Sequence, residues 1–225
     1  MILILTIGLL SPDSIFTLVQ KRGSVIPALK GRIEVIVEYP RLESLVGRFY
    51  LKDNRLLIRF QSPYGQDILI TDSLLIVYNP DRREKIVRED LSPSGQFIPY
   101  LDAGPGILAW SKDWNLRTIS RDSILGYDLY VLEGENPDTG GSHTRTIFWV
   151  DADVFLIRRV EFYGQDTVLN FIYLVDETEE IGETMIPTRY QMRILTRFGV
   201  AVFHYKLSEI KTGLELPDSL FRIGD

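Results

Sequence analysis

Between Gly47 and Asp81 the chain reads GRFYLKDNRLLIRFQSPYGQDILITDSLLIVYNPD. Phe49 and Leu51 alternate with Arg48, Tyr50 and Lys52, and Leu56, Ile58 and Phe60 alternate with Arg55, Arg59 and Gln61. A two-residue period puts alternate side chains on opposite faces of a strand, so the stretch predicts four short strands sharing one apolar face. Ile68 and Ile70 continue that face, and Leu74, Ile76 and Tyr78 are expected to continue it beyond the turn at Asp72 and Ser73.

The same period extends outward in both directions. Upstream, Ile33, Val35 and Val37 alternate with Glu34 and Glu38. Downstream, strand patterns return in LRTIS, GYDLYVLEG, TRTIFWV, FLIRRVEFYG, TVLNFIYLVD, MIPTRYQMRIL and VAVFHYKLSEI. They are separated by turn-rich breaks at Asn136 to His143, Asp151 to Asp153 and Gly164 to Asp166. Ser92 to Asn115 interrupts the pattern with prolines, glycines and the apolar group Ile107, Leu108 and Trp110, which predicts a loop carrying one short helix. A second helical segment opens at Ser14, with Phe16, Leu18 and Val19 able to share a face before Gly23 and Pro27.

The total is about eleven strands and very little helix. Two or three short helices cannot cover that much apolar face, so the sheet must curl, pair with another sheet, or enclose space. Periodicity does not separate a filled β-sandwich from a ligand cavity, because both draw on the same residue types.

A chain of 225 residues can form one large β domain or two small ones. No linker, composition shift or internal repeat divides it, so a single domain over residues 14–225 is expected. Residues 1–13 read as a leader remnant or disordered start, because the nine-residue run from Ile2 to Leu10 has the length of a secretory apolar region. A first buried strand or helix is the other reading of that run. With no cysteine, the given chain has no thiol nucleophile, cysteine metal site or lipobox cysteine. A formal charge of −6, with 25 basic and 31 acidic residues interspersed, argues against nucleic acid and anionic lipid as partners.

Signals for chemistry are weak. His143 and His204 lack metal-ligand spacing, no serine lies in G-x-S-x-G, and GPG at Gly104 to Gly106 lacks the lysine end of a phosphate loop. Asp151 and Asp153 read as turn aspartates, and the run Arg82, Arg83, Lys85 and Arg88 reads as a solvated edge because acids interleave it. No metal, cofactor or catalytic residue is therefore expected, and binding outranks catalysis.

In the opening stretch, Gly47, Lys52, Pro63, Asp72, Tyr78 and Pro80 follow in order. That pattern resembles the LolA/LolB-like family of outer-membrane lipoprotein carrier and sorting proteins. AGPGILAW, GQDTVLNFIY, MIPTRYQMR and the closing GLELPDSLFRI extend the resemblance. It implies a mainly β fold, a curved, incomplete antiparallel barrel with a few short helices forming a lid over a hydrophobic cavity. On this basis the cavity residues are Phe49, Leu51, Leu56, Ile58, Phe60, Ile68 and Ile70 on the wall, with Ile107, Leu108 and Trp110 in the lid.

The implied function is a monomeric periplasmic carrier that shields acyl chains of lipoprotein or other lipid, working between an inner-membrane release complex and an outer-membrane acceptor. Lys52, Asp53 and Asn54 replace the family's lysine-arginine-proline segment, so its functional arginine has no direct equivalent, although Arg55 lies nearby. Two other readings stand beside this one. An envelope sensor could bind lipoprotein with the same half-barrel, and a lipid-acting hydrolase would need a nucleophile at the cavity mouth.

Overall fold

The computed structural model describes residues 10–23, 28–38, 41–53, 55–71, 74–89, 114–124, 126–136, 144–164, 167–182, 184–196 and 199–223. Helix α1 spans Pro12–Gly23. Ser11 caps it, its Oγ accepting the Ser14 amide at 3.2 Å, and proline takes the first helical position, where no backbone donor is needed. Asp13 in the first turn and Lys21 and Arg22 in the last complement the helix dipole.

The strands are β1 (Leu29–Val37), β2 (Glu43–Lys52), β3 (Arg55–Ser62), β4 (Gln66–Ile70), β5 (Leu74–Asn79), β6 (Glu84–Glu89), β7 (Asn115–Ile124), β8 (Tyr127–Glu135), β9 (Arg145–Asp151), β10 (Ile157–Tyr163), β11 (Leu169–Ile181), β12 (Thr184–Thr196) and β13 (Gly199–Lys211). They form one 13-stranded sheet in the order β6-β5-β4-β3-β2-β1-β13-β12-β11-β10-β9-β8-β7. This exceeds the expected eleven. The run read as a solvated edge begins in the turn before β6 and continues along that strand, and Arg82, Arg83 and Lys85 are exposed as expected.

Each half is an antiparallel meander, and β1 pairing with β13 joins them. Among the described residues the sheet is not closed into a barrel, and β6 and β7 are its edges. Register shifts at Lys30/Arg32, Val46/Gly47, Ile157/Arg159 and Val175/Glu177 bend it, since a bulge adds a residue to one strand and increases local twist.

Gly47, in the middle of β2, stands at one of these shifts. A Cβ there would lie 2.2 Å from the Arg59 carbonyl oxygen, so only glycine lets β3 approach β2 this closely. At Gly31 the space of a side chain is filled by the Phe49 ring, 2.6 Å from where a Cβ would stand.

Gly47→Ala is expected to cost about 3 kcal/mol, because backbone rather than a flexible side chain must move. Gly126→Ala, in a turn with φ of 85° and open space around it, should cost about 1 kcal/mol from backbone strain alone. Urea unfolding of both variants checks this; equal costs would mean that the β2–β3 approach does not constrain the sheet.

Candidate functional site: the inner face of the half-barrel

The β2–β5 registers place Phe49 opposite Ile58, Ile58 opposite Ile68 and Ile68 opposite Val77. A second row aligns Leu51, Leu56, Ile70 and Leu75. The pairing of β1 with β13 carries the same face into the second half, with Val35 opposite Tyr205 and Tyr205 opposite Tyr190. There Tyr190 and Tyr205 stack at 4.6 Å, Tyr173 lies 5.5 Å from Tyr190, and all three rings are buried. Phe203, Met192, Tyr173, Val160, Phe148 and Leu132 then continue one row across β13 to β8. The whole inner face belongs to one apolar cluster.

Helix α1 covers part of this face. Ile15, Phe16 and Val19 are buried in the cluster, and Phe16 meets Phe148 edge-on at 5.4 Å. Leu18, expected on the same helical face, is half-buried, and Ile15 takes its place. Trp114, just before β7, is also buried here and meets Phe162 edge-on at 6.5 Å.

The outer face is covered in two different ways. Over β2–β5, Leu57 and Leu69 form a second apolar cluster with Leu216, Phe221 and Ile223 of the C-terminal segment. Lys52 donates to the Leu216 carbonyl at 2.9 Å and to Asp218 at 3.1 Å. Arg55 donates to Asp218 at 2.8 Å and lies over the Phe221 ring. Hydrogen bonds from Arg55 and Lys52 hold the Asp218 carboxyl below its usual range. Arg55, the residue nearest the missing family arginine, is thus engaged with the C-terminus.

Over β7–β10 the cover is a layer of arginines, carboxylates and aromatic rings. Glu133 accepts from Arg117 and Arg145, Glu161 from Arg159 and Tyr163. Arg145 lies over Tyr163, and Arg159 over Trp149. Burial pushes the Tyr163 hydroxyl up to about 12, and its hydrogen bond to Glu161 adds to the shift. Arg158 donates to Asp151 at 2.9 Å and 3.0 Å and stacks on Tyr127 at 4.0 Å. The arginine stems and stacked rings lie along the sheet and exclude water from it.

Of the expected wall residues, Phe49, Leu56, Ile58, Phe60 and Ile68 are buried on the inner face, and Leu51 and Ile70 are partly buried against them. Ile107, Leu108 and Trp110 lie outside the described residues. One expectation is corrected. Ile76 and Tyr78, placed by sequence on the apolar face of Ile68 and Ile70, lie on the outer face, because Leu75 and Val77 are the residues opposite Ile70 and Ile68. The short 3-10 helix Asp218–Phe221, within the closing segment that carried part of the resemblance, packs on the outer face.

Sequence reasoning did not single out Tyr130, Leu132, Phe148, Val160, Tyr173 or Met192, although alternation in TRTIFWV and LNFIYLV carried the signal. It also passed over the runs LLI at Leu56–Ile58 and ILI at Ile68–Ile70, where adjacent apolar residues announce a strand buried on both faces.

The candidates for chemistry do not converge. Asp151 accepts the Asp153 and Val154 amides at 3.0 Å and 3.1 Å, which is turn geometry. His204 lies on the outer face, 2.9 Å from Glu38. His143 is outside the described residues. Among the described residues no group of three or more His, Asp or Glu could hold a metal ion, and no helix is long and apolar enough to cross a membrane.

The open half-barrel with an apolar inner face roofed by a helix has a LolA-like fold, as solved structures show. A LolA superfamily protein from Nitrosomonas europaea superposes with a TM-score of 0.67 at 22% identity, covering 95% of this chain and 98% of its own. A DUF1329 family protein from Desulfovibrio piger gives 0.72 at 17%, covering 94% and 97%. A domain assigned as an outer membrane lipoprotein-sorting protein from Vibrio parahaemolyticus gives 0.71 at 16%, covering 93% and 96%. No curated protein matches the sequence. A family model described as "Uncharacterized protein"-like matches residues 52–223, and the chain belongs to that family.

Burial acts to raise the Glu133 carboxyl, but hydrogen bonds and charge from Arg145 and Arg117 outweigh it and hold the group below the usual range. A lowered folded-state value means stability that is present above the ordinary carboxylate range and lost as pH falls through the folded value. At neutral pH, Glu133→Gln should cost about 3 kcal/mol. Thermal midpoints measured from pH 7 to below the carboxylate range near 4 should show the difference from wild type shrinking; a constant difference would remove the ionisation of Glu133 from the account.

Proposed function

We propose that the chain is a carrier or sorting protein for acylated ligands, lipoprotein or other lipid, in the bacterial periplasm. The observation that carries this reading is the continuity of the inner apolar face across both meanders, with α1 and Trp114 laid over it. The ion pairs of Glu133 and Glu161 lie on the outer face, and Arg121, over the Tyr130 ring and paired with Asp128, stands at the β7–β8 edge of the inner one, so a hydrocarbon ligand entering between sheet and roof along the central rows meets hydrocarbon and aromatic rings.

Energetics favour such a ligand. Each buried methylene contributes about 0.8 kcal/mol, so a whole acyl chain gains on the order of 10 kcal/mol. Roof side chains such as Phe16 fill part of that space in the free protein, and their displacement offsets some of the gain. The affinity left over is then weak enough for release to an acceptor. An inner-membrane release complex and an outer-membrane acceptor are the proposed partners, as the resemblance implies, and the chain acts in this scheme as a non-enzymatic monomer.

Wild-type protein should retain a fluorescent long-chain acyl probe through gel filtration. Leu51→Gln, at a half-buried inner-face position, is expected to weaken retention at least tenfold, whereas Lys206→Gln on the exposed outer face should leave it unchanged. Equal effects of the two substitutions, or no retention by wild type, would sink the carrier reading.

A further inference from the structure

Two hydroxyls interrupt the apolar inner face at one end. Thr146 on β9 is fully buried, and its Oγ1 meets no hydrogen-bond partner among the described residues. Thr118 on β7 also buries an Oγ1 without a partner among them. The registers put both on the inner face, one on either side of β8: Thr118 is opposite Leu132, and Thr146 is opposite Gly134.

Gly134 lies between them, and neighbouring side chains take up the space beside its backbone. A Cβ there would stand 3.0 Å from Leu116, 3.1 Å from Trp114 and 3.7 Å from Phe148, so the backbone of β8 is bare directly beneath the indole. Trp114 and Phe16 roof this end through their edge-on contacts with Phe162 and Phe148. Phe162 and Gly134 are the residues opposite Thr146 on either side, which places its hydroxyl under the Trp114 roof.

A buried hydroxyl without a partner is destabilising, and valine has the same shape and an equal preference for strands. Threonine at a fully buried position among leucine and phenylalanine therefore has no packing advantage. A hydroxyl can, however, donate to an acceptor that arrives with a ligand. Hydrocarbon supplies none, whereas the carbonyl of an acyl ester does, at the head of the same chain that the apolar face would bury.

We infer that Thr146, assisted by Thr118, forms a polar anchor for the ester carbonyl of an acyl ligand, which enters in place of Trp114 and lays its chain along the inner face. The inference rests on the carrier reading and deepens it. It assigns the ligand's class, an ester-linked acyl chain, and the end of the half-barrel at which its carbonyl sits.

The test uses the full chain with two probes of equal length, a conjugated-polyene fatty acid methyl ester and the corresponding polyene hydrocarbon. Thr146→Val should weaken the ester about tenfold, the equivalent of one hydrogen bond, and leave the hydrocarbon unchanged. Its thermal midpoint should hold or rise, and Thr146→Ser, which keeps the hydroxyl, should retain ester affinity. Equal effects of Thr146→Val on the two probes, or none on either, would overturn the anchor while leaving the carrier reading intact. Failure of wild type to bind either probe would overturn both. Competition of the bound ester by a diacyl phospholipid and by a diacylated lipopeptide separates the two sources of such a group.

Discussion

The pairing of β1 with β13 is the contact on which the rest of the structure depends. It joins two meanders that would otherwise be separate sheets, and it does so in the register that sets Ile33 against Leu207 and Val35 against Tyr205. Side chains alternate along a strand, so a slip of one residue would turn the inner row of one half outward. In the observed register the apolar rows of both halves run together into a single face.

That face makes the outer one a problem of its own. A sheet this wide must keep water from much of its backbone on both sides, and the two halves differ in how they do it. The first half borrows the C-terminal segment, fastened by Lys52 and Arg55 to Asp218 and by the packing of Phe221 and Ile223. The second half covers itself with arginines laid over tyrosine and tryptophan and neutralised by buried carboxylates. With both tasks done on the outside, the inside can remain apolar and be covered by the lighter roof of α1 and Trp114. A strongly packed second sheet on that side would have made a sandwich; among the described residues the cover there is one helix and an indole.

Much of this was legible in the order of residues. Alternation placed Phe49, Leu51, Leu56, Ile58 and Phe60 on one face, and the registers agree. The helix expected from Ser14 is α1, which begins two residues earlier, at Pro12, behind the Ser11 cap. The glycine at 47 marked the β2 segment, and its reason proved to be the approach of the Arg59 carbonyl. The outer cover was harder to read. Leu57 and Leu69 broke the alternation, but their partners are Leu216, Phe221 and Ile223, far along the chain. The anchor pair Thr118 and Thr146 was invisible for a related reason: a threonine in a strand is ordinary until its burial and the bare backbone of Gly134 beside it are known.

The sequence by itself determined that the chain is mainly β, which residues share a face within each strand, and that no cysteine takes part in its chemistry. These follow from side-chain type and a period of two, both local properties. The tertiary structure alone decided which face is inner, that Ile76 and Tyr78 look outward, that the C-terminal segment serves the outside, and that Thr118 and Thr146 bury hydroxyls with no partner among the described residues. Those depend on strand registers and on contacts such as Lys52 to Leu216, which join residues distant in sequence and have no local signature.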